Sequence, residues 1–165
     1  MNNIHLIENI FSIEEREEMI LNLQPLLVDG KELGKRVVED VVFPGKQTYP
    51  TLHLHSDFKE PIAKIISRIE KDVKINVKPL RGWANQSTGR DKLHWHKHDE
   101  DGANYSVVYY LKTFRFMGSG TQFRREFIKA PQNSLIVFPS HLYHAAPRGM
   151  LFLERYSLAL DLKMI

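Results

Sequence analysis

The chain has 165 residues and a mass of 19.3 kDa, with 42% hydrophobic residues, 26% charged residues and a formal net charge of +3. These values fit one globular domain that buries its own core, and no linker, repeat or low-complexity segment suggests a second. The absence of cysteine excludes disulfide bonds and thiolate metal sites. Basic residues are scattered among acidic ones, which argues against nucleic acid as a partner. No apolar run reaches membrane-spanning length and no secretory leader is recognisable, so we expect a cytoplasmic protein with no membrane partner.

Two helices are predicted in the first half of the chain. Residues 12–24 begin with the capping-box pair Ser12 and Glu15, in which each side chain satisfies a backbone N–H of the other residue. Residues 59–73 place their apolar side chains on one stripe, with Pro61 in the first turn, where a missing N–H is tolerated. Both patterns are typical of helices that flank a sheet.

The segment between these helices has a less regular pattern. Valine pairs and glycines over residues 31–55 indicate short strands or a loop region, and residues 29–50 are predicted to form a lid over a site. His53 and His55 alternate with leucines, as two imidazoles on one strand would. This pair is a rival metal site, but no later segment supplies the partners it needs.

From Val77 onward the pattern is that of β-strands separated by turns. The predicted strands cover residues 77–83, 105–111, 121–128, 134–138 and 155–162. In the last of them, leucines alternate with Ser157, Ala159 and Asp161, as expected for a half-buried strand. Several short strands at this spacing predict a sandwich or a barrel. The domain then consists of a support region, residues 1–79, and a β-rich core, residues 80–162.

A row of histidines lies at the start of this core. If the segment is extended, His94, His96 and His98 point to one side of the strand, because side chains alternate. Two adjacent members can bind one metal ion, with a third ligand from elsewhere in the chain. His144 is the obvious remote donor, since it follows a buried apolar strand. The alternative is a solvated histidine-rich loop that binds metal only incidentally.

Several motifs in the core follow an order that is known from one enzyme family. They are His94-x-His96, Ser106-Val-Val-Tyr-Tyr110-Leu111, Gly120-Thr121-x-Phe123, Phe138-Pro-Ser-x-x-x-His144 and Arg155-Tyr-Ser157. This order resembles the core of the Fe(II)/2-oxoglutarate-dependent dioxygenases, and in particular their prolyl-hydroxylase-like branch. The resemblance covers about residues 80–162. It implies a mainly β fold with flanking helices, a cupin-like double-stranded β-helix or jelly-roll whose open end holds the metal.

The resemblance also assigns roles to individual residues. His94 and His144 would be iron ligands, and Arg155, which lies 11 positions after His144, would pair with the 5-carboxylate of 2-oxoglutarate. A guanidinium suits this role because it offers a fixed charge and two donors to a carboxylate. The other residues expected to face the cosubstrate are Ser157, Tyr110, Asn85 and Ser106.

The chain departs from the family at one ligand. The usual first motif is His-x-Asp or His-x-Glu, but His96 occupies the acidic position. We favour a three-histidine site of His94, His96 and His144, because alternation directs both early imidazoles inward. The alternatives are a carboxylate from Asp99 or Glu100, or a shifted pair of His98 and Glu100. An imidazole in place of a carboxylate makes the site more positive by about one charge.

The activity that the resemblance implies is hydroxylation of an unidentified substrate. Fe(II) is the expected cofactor, 2-oxoglutarate and O2 are the cosubstrates, and succinate and CO2 are the co-products. Two other classes stay open, a cupin-like three-histidine metalloprotein of different activity and a non-catalytic jelly-roll binding module. Arg155 and Ser157 on one strand face argue against the cupin-like class. Binding of 2-oxoglutarate separates the dioxygenase from both alternatives.

Overall fold

In a computed structural model, the chain forms two antiparallel sheets supported by helices. The structure describes residues 3–37 (the backbone alone for 34–37), 45–88, 91, 94–99, 102–113, 119–146 and 153–165. Within these ranges the α-helices are α1 (Ile13–Leu23), α2 (Gly30–Val37) and α3 (Ser56–Val73). In the same ranges, no helix combines the length and the apolar composition that crossing a bilayer requires.

The strands form one large and one small sheet. In chain order they are β1 (His5–Glu8), β2 (Val28–Asp29), β3 (Lys46–Gln47), β4 (Val77–Ser87), β5 (Tyr105–Lys112), β6 (Gly120–Phe123), β7 (Phe127–Lys129), β8 (Ser134–Pro139), β9 (His144–Ala145) and β10 (Arg155–Met164). The large sheet has the order β1-β8-β5-β10-β4-β3-β2, and the small sheet has the order β7-β6-β9. A backbone bridge between His96 and His144 adds the histidine segment to the small sheet beside β9. Both partners of the central strand β10, which are β4 and β5, are antiparallel to it.

One face of the large sheet packs against α1 and α3. Alternate residues of β10, Leu158, Leu160 and Leu162, are almost fully buried in this core. The helices contribute Met19, Leu23, Phe58, Ile62, Ile65 and Ile69 to the same cluster. The alternate apolar side chains of the strand and the apolar stripes of the two helices therefore pack together in one hydrophobic core.

The other face of the large sheet faces the small sheet. On this side Tyr110, Ile136 and Phe138 form a second buried cluster with Phe123 of β6 and Ala130, which follows β7. Two sheets packed face to face, with helices on the outer face of the larger one, form a jelly-roll. The predicted fold class, mainly β with flanking helices, is confirmed.

The two predicted helices are present, with one correction. The capping box is confirmed, since Ser12 Oγ accepts from the Glu15 N–H at 3.2 Å and Glu15 Oε2 accepts from the Ser12 N–H at 2.6 Å. The later helix begins at Ser56, so the prediction that Pro61 lies in its first turn was wrong. The reason is an unexpected cap, because the ring of His55 accepts a hydrogen bond from the Asp57 N–H at 3.4 Å.

Two other segments differ from their predictions. Residues 121–128 contain a hairpin of β6 and β7 instead of one strand, because the chain reverses at the polar residues between Phe123 and Phe127. Helix α2 occupies part of the segment predicted to be short strands or loop; its glycines weaken the helical signal in the sequence. The predicted lid at residues 29–50 includes 38–44, which lie outside the described residues, so the lid stays a prediction.

The Asn133 side chain joins the segment before α1 to the large sheet through hydrogen bonds. Its Oδ1 accepts hydrogen bonds from the Phe11 N–H and the Tyr109 hydroxyl, both at 2.9 Å, and its Nδ2 donates to the Phe11 carbonyl at 2.7 Å. Its φ of 64° lies in the left-handed region, which asparagine tolerates better than most residues. The same residue thus supplies both a turn conformation and three tertiary hydrogen bonds.

Replacing Asn133 tests these two contributions separately. Asn133→Gly removes the side-chain hydrogen bonds but keeps a permitted φ, and we expect it to lower the free energy of unfolding by about 2 to 4 kcal/mol. Asn133→Ala removes the same bonds and adds left-handed strain, so it should cost about 1 kcal/mol more. Urea unfolding measures both values. An alanine variant as stable as the glycine variant would contradict the left-handed conformation.

Candidate metal centre

A cavity opens between the two sheets beside the histidine segment. Its empty volume is about 630 Å³, with the open mouth included. The inner faces of β4, β5 and β10 line one side, and residues of β6, β9 and the histidine segment line the other. The predicted site residues that line it are Asn85, His96, Ser106, Tyr110, His144, Arg155 and Ser157. His94 is the one predicted site residue that is not part of this lining.

Cross-strand pairing arranges the large-sheet side of the cavity in rows. From one end to the other, the rows are Ser87 and Arg155; Asn85, Ser157 and Tyr110; Trp83, Ala159 and Val108; and Arg81, Asp161 and Ser106. Because side chains alternate along β10, Arg155, Ser157 and Asp161 share one face. Arg155 and Asp161 mark the two ends of this face, roughly 20 Å apart along the strand.

Three imidazoles meet on the opposite side of the cavity. One nitrogen from each of His96, His98 and His144 lies within 4.8 Å of the others. The His96 N–H donates to the His144 carbonyl at 3.0 Å, and the His144 N–H donates to the His96 carbonyl at 2.9 Å. The His98 N–H donates to the Ser140 carbonyl at 3.0 Å. Backbone pairing therefore holds together side chains that are far apart in sequence.

Hydrogen bonding fixes which nitrogen of the His96 and His144 rings faces the centre. His96 Nδ1 lies 2.8 Å from the carbonyl oxygen of His94, and His144 Nδ1 lies 3.1 Å from that of Leu142. A carbonyl oxygen only accepts, so each Nδ1 carries the proton and each Nε2 of the neutral ring has a free lone pair. His98 Nδ1 lies 3.6 Å from the Asp161 carboxylate, which favours the same tautomer.

Burial keeps these imidazoles neutral. Desolvation, followed by repulsion from the neighbouring imidazoles, lowers the pKa of His98 to about 2 and that of His144 to about 3. Desolvation also lowers the pKa of His96. The neutral ring is the form that binds a metal ion through its lone pair.

The donor set fits a divalent transition metal. Three imidazole nitrogens suit iron, zinc, copper or nickel, and a three-ligand set leaves coordination positions for other molecules. Aromatic rings enclose the histidines, with the Phe138 ring centroid 4.7 Å from that of His144 and the Trp83 ring centroid 5.4 Å from that of His98. These walls limit the access of water to the centre.

The cluster differs from the predicted ligand set in one member, because His98 takes the place of His94. His94 is exposed, and its backbone carbonyl, not its ring, contacts His96. Alternation does put two early histidines on one side, but the pairing with β9 begins at His96, so the two are His96 and His98. The early pair of the structural cluster therefore lies two residues further along the chain than the predicted pair, and the ligand set itself stays a prediction.

The other ligand alternatives do not join the cluster within the described residues. Asp99 forms an ion pair with Lys97 at 3.0 Å and is not part of the three-histidine group. Glu100 lies outside the described residues. The rival pair is not on a strand, since His53 lies in a 3-10 turn and His55 caps α3.

Arg155 brings a positive charge to the other end of the cavity. Its Nε donates a hydrogen bond to Ser87 Oγ at 3.2 Å. Among the residues that the structure describes, no carboxylate lies within ion-pair distance of this guanidinium. Desolvation lowers the pKa of Arg155, although an arginine keeps its proton at neutral pH. An anion bound at this end would complete a charge pair.

Neutral polar groups surround the space next to Arg155. The Tyr110 hydroxyl shares a hydrogen bond of 2.6 Å with Thr121 Oγ1, and burial raises the pKa of Tyr110 to about 12, so it stays a phenol. Asn85 Oδ1 accepts a hydrogen bond from Gln47 Nε2 at 2.9 Å, which orients the amide. Ser157 lies between Tyr110 and Asn85 in the same row.

Ser106 and Asp161 are hydrogen-bonded to each other in the cavity wall, an arrangement that the sequence alone does not predict. Ser106 lines the cavity as expected, but it lies at the end far from Arg155 and donates to Asp161 Oδ1 at 3.0 Å. The alternation in the sequence predicts Asp161 on the polar face of its strand and gives it no functional role. The usable signal was its spacing, since it lies an even number of residues after Arg155 and so shares the cavity face.

Comparison with known proteins gives matches in structure. No family model matches the chain, and no curated protein matches its sequence. HygX from Streptomyces hygroscopicus, with nickel, 2-oxoglutarate and hygromycin B bound, is 14% identical over 99% of this chain and 83% of that chain, with a TM-score of 0.72. The 2-oxoglutarate complex of a viral collagen prolyl hydroxylase from Paramecium Bursaria Chlorella virus-1 is 14% identical over 98% of this chain and 96% of that chain, with a TM-score of 0.66. A Pseudomonas putida prolyl-4-hydroxylase is 11% identical over 100% of this chain and 94% of that chain, with a TM-score of 0.69.

These similarities extend over almost the whole chain and confirm the resemblance at the level of the fold. Two of the three structures contain 2-oxoglutarate, and one of those also contains a metal ion. The chain therefore has the double-stranded β-helix fold found in prolyl-hydroxylase-like 2-oxoglutarate oxygenases.

The three-histidine cluster and the predicted ligand set make different predictions for metal binding. His98→Ala should weaken Zn(II) or Co(II) binding by more than about 100-fold, because it removes one of three nitrogen donors. The matched control is His94→Ala, which should change the affinity by no more than about twofold because that ring is exposed. Competition titration against a chromophoric chelator measures both. A large loss in the His94 variant alone would restore the ligand set predicted from the sequence.

Proposed function

We propose that the protein is an Fe(II)- and 2-oxoglutarate-dependent dioxygenase that hydroxylates a substrate, with succinate and CO2 as co-products. The observation that carries this proposal is one cavity with three neutral imidazoles on one side and, on the other, a guanidinium that makes no ion pair with a carboxylate of the described residues, although the charge of Asp91 reaches it. 2-Oxoglutarate has matching ends, since its 2-oxo acid group chelates a metal and its 5-carboxylate is an anion.

The position of Arg155 gives the cavity its selectivity for a dicarboxylate. A guanidinium binds a carboxylate through two parallel hydrogen bonds, which fixes the orientation of the ligand as well as its charge. The Ser157 and Tyr110 hydroxyls and the Asn85 amide flank this place and can satisfy the remaining carboxylate oxygens. Tyr110 can donate at any physiological pH because its pKa is raised to about 12.

The protein positions the reactants and the metal supplies the reactive chemistry. Bound Fe(II) would supply oxygen activation coupled to decarboxylation of the cosubstrate. His96, His98 and His144 would hold it through their Nε2 atoms, because every Nδ1 faces an oxygen acceptor. Phe138 and Trp83 enclose two of the rings and exclude water from that side. The primary substrate would enter through the open mouth of the same cavity.

A cupin-like metalloprotein of different activity is the second candidate. The observation that favours it is the three-imidazole donor set itself, which lacks the carboxylate of the usual facial triad. Such a protein needs no dicarboxylate site, so it leaves Arg155 unexplained. Binding of 2-oxoglutarate to the metal-loaded protein therefore decides between the two.

The first experiment is an anaerobic titration of the Fe(II)-loaded protein with 2-oxoglutarate, followed by the visible metal-to-ligand charge-transfer band. Arg155→Ala should raise the dissociation constant by about 30-fold or more, because it removes a charged pair from a partly buried site. Arg155→Lys should have an intermediate effect, since lysine keeps the charge but loses the two-pronged geometry.

Exposed Arg124, whose guanidinium lies 4.4 Å from the Tyr143 ring centroid, provides the control for charge alone. Arg124→Ala should leave the titration unchanged. Iron binding without any charge-transfer band in the wild type would reject the cosubstrate and favour the cupin-like alternative. A band that Arg155→Ala leaves unchanged would reject the role of Arg155 alone.

Adjacent tyrosines on opposite faces of β5 offer a matched pair for the hydroxyl contact. Tyr110→Phe should raise the dissociation constant of 2-oxoglutarate by about 10-fold, because it removes one hydrogen bond to a charged group. Tyr109→Phe removes a hydroxyl that binds Asn133 on the helix side, so it should lower the unfolding midpoint and leave ligand binding unchanged. Equal effects of both variants on ligand binding would contradict a direct contact by Tyr110.

A further inference from the structure

Asp161 is a fully buried carboxylate in the wall of the cavity, at the end opposite Arg155. Its exposed fraction is 0%. Arg81 donates to Oδ2 through Nη2 at 2.7 Å and through Nε at 3.0 Å, and Ser106 Oγ donates to Oδ1 at 3.0 Å. His98 Nδ1 lies 3.6 Å from Oδ2. A single carboxylate therefore contacts a cation, a hydroxyl and one of the three clustered imidazoles.

Strand register places this carboxylate behind His98. Asp161 pairs with Arg81 of β4 and with Ser106 of β5, and the register shifts immediately afterwards, between Asp161 and Leu162. The shift is against β4 alone, and pairing with β4 then continues to Met164. Nearby, the His98 ring contacts the Trp83 ring of β4. Bulges commonly re-aim side chains next to functional sites.

We propose that Asp161 is the positioning residue of the metal centre, holding the Nδ1 proton of His98 so that His98 Nε2 faces the metal. The other two imidazoles use backbone carbonyls for this purpose, namely those of His94 and Leu142. Among the described residues, Asp161 is the carboxylate in contact with the ring of His98. A carboxylate behind a ligating imidazole orients the ring and raises its basicity toward the metal.

The same contact supplies a negative charge that the three ligands lack. A divalent ion with three neutral imidazoles carries two positive charges, whereas the usual set with one carboxylate ligand leaves one. Asp161 brings its charge to the far side of His98 instead of to the metal itself. Arg81, which donates two hydrogen bonds to Asp161 Oδ2, offsets this charge, and its own positive charge contributes to the lowered pKa of His98.

This inference rests on the metal-binding part of the proposed function and not on the identity of the cosubstrate. Its test is therefore metal binding by the protein without 2-oxoglutarate. The variant is Asp161→Asn, which keeps the shape of the side chain and removes its charge. Loss of a carboxylate behind a histidine ligand typically costs 10- to 100-fold in metal affinity, so we expect Co(II) to bind about 10- to 100-fold more weakly. The Co(II) absorption spectrum, which reports ligand geometry, should shift as well.

Arg81→Gln is the matched control, because it breaks the same ion pair from the other side and leaves the carboxylate on His98. If the ion pair between Arg81 and Asp161 only stabilised the fold, both variants would lose stability and metal affinity to the same extent. We expect both to unfold at lower urea concentration, but only Asp161→Asn to lose Co(II) affinity. Equal affinity losses in the two variants, or none in Asp161→Asn, would overturn the proposal.

A measurement on the wild type covers the case in which Asp161→Asn does not fold. In ¹⁵N-labelled protein loaded with Zn(II), long-range ¹H–¹⁵N correlation spectra show which nitrogen of each histidine carries a proton. We expect the His98 proton on Nδ1, with slow exchange like that of His96 and His144. A His98 proton on Nε2, or rapid exchange at Nδ1, would overturn the proposal. Failure of the wild type to bind any metal would instead reject the proposed function itself.

Discussion

The backbone pairing of His96 with His144 is the interaction on which the candidate site depends. Two reciprocal hydrogen bonds, of 3.0 and 2.9 Å, join the histidine segment to β9. They set which residues of the segment face the cavity, because side chains alternate from that point. His98 follows on the same side, and its own N–H bond to Ser140 continues the pairing. Without this register the imidazoles would belong to two separate loops, and no cluster would form.

The central strand β10 gives the rest of the site its order. One face of the strand carries leucines that are buried against α1 and α3, so its register cannot slip without exposing the hydrophobic core. The other face carries Arg155, Ser157 and Asp161 into the cavity. The apolar face thereby fixes the spacing of the polar groups, with the Arg155 guanidinium at one end of the cavity and the Asp161 carboxylate at the other.

Local patterns in the sequence were sufficient for features that depend on neighbouring residues. The capping box at Ser12, the buried strand before His144 and the shared face of Arg155 and Ser157 follow from periods and caps. The choice of His98 over His94 did not, because three histidines at a period of two look alike until a partner strand sets the register. The burial of Asp161 was hidden for a similar reason, since it depends on β4, β5 and the His98 ring, which come from distant parts of the chain.

If the three-imidazole cluster holds a metal ion as proposed, it does so without the carboxylate ligand of the usual facial triad. A metal centre responds to the total charge around it as well as to the atoms that touch the metal. In this chain a buried carboxylate lies behind His98, where it can polarise the imidazole through Nδ1. Under the proposal, the His98 imidazole would donate to the metal, and Asp161, itself paired with Arg81, would act on the metal only through that ring. In the proposed function, Asp161 would lie one imidazole away from the metal, and Arg155 would bind a carboxylate at the other end of the cavity.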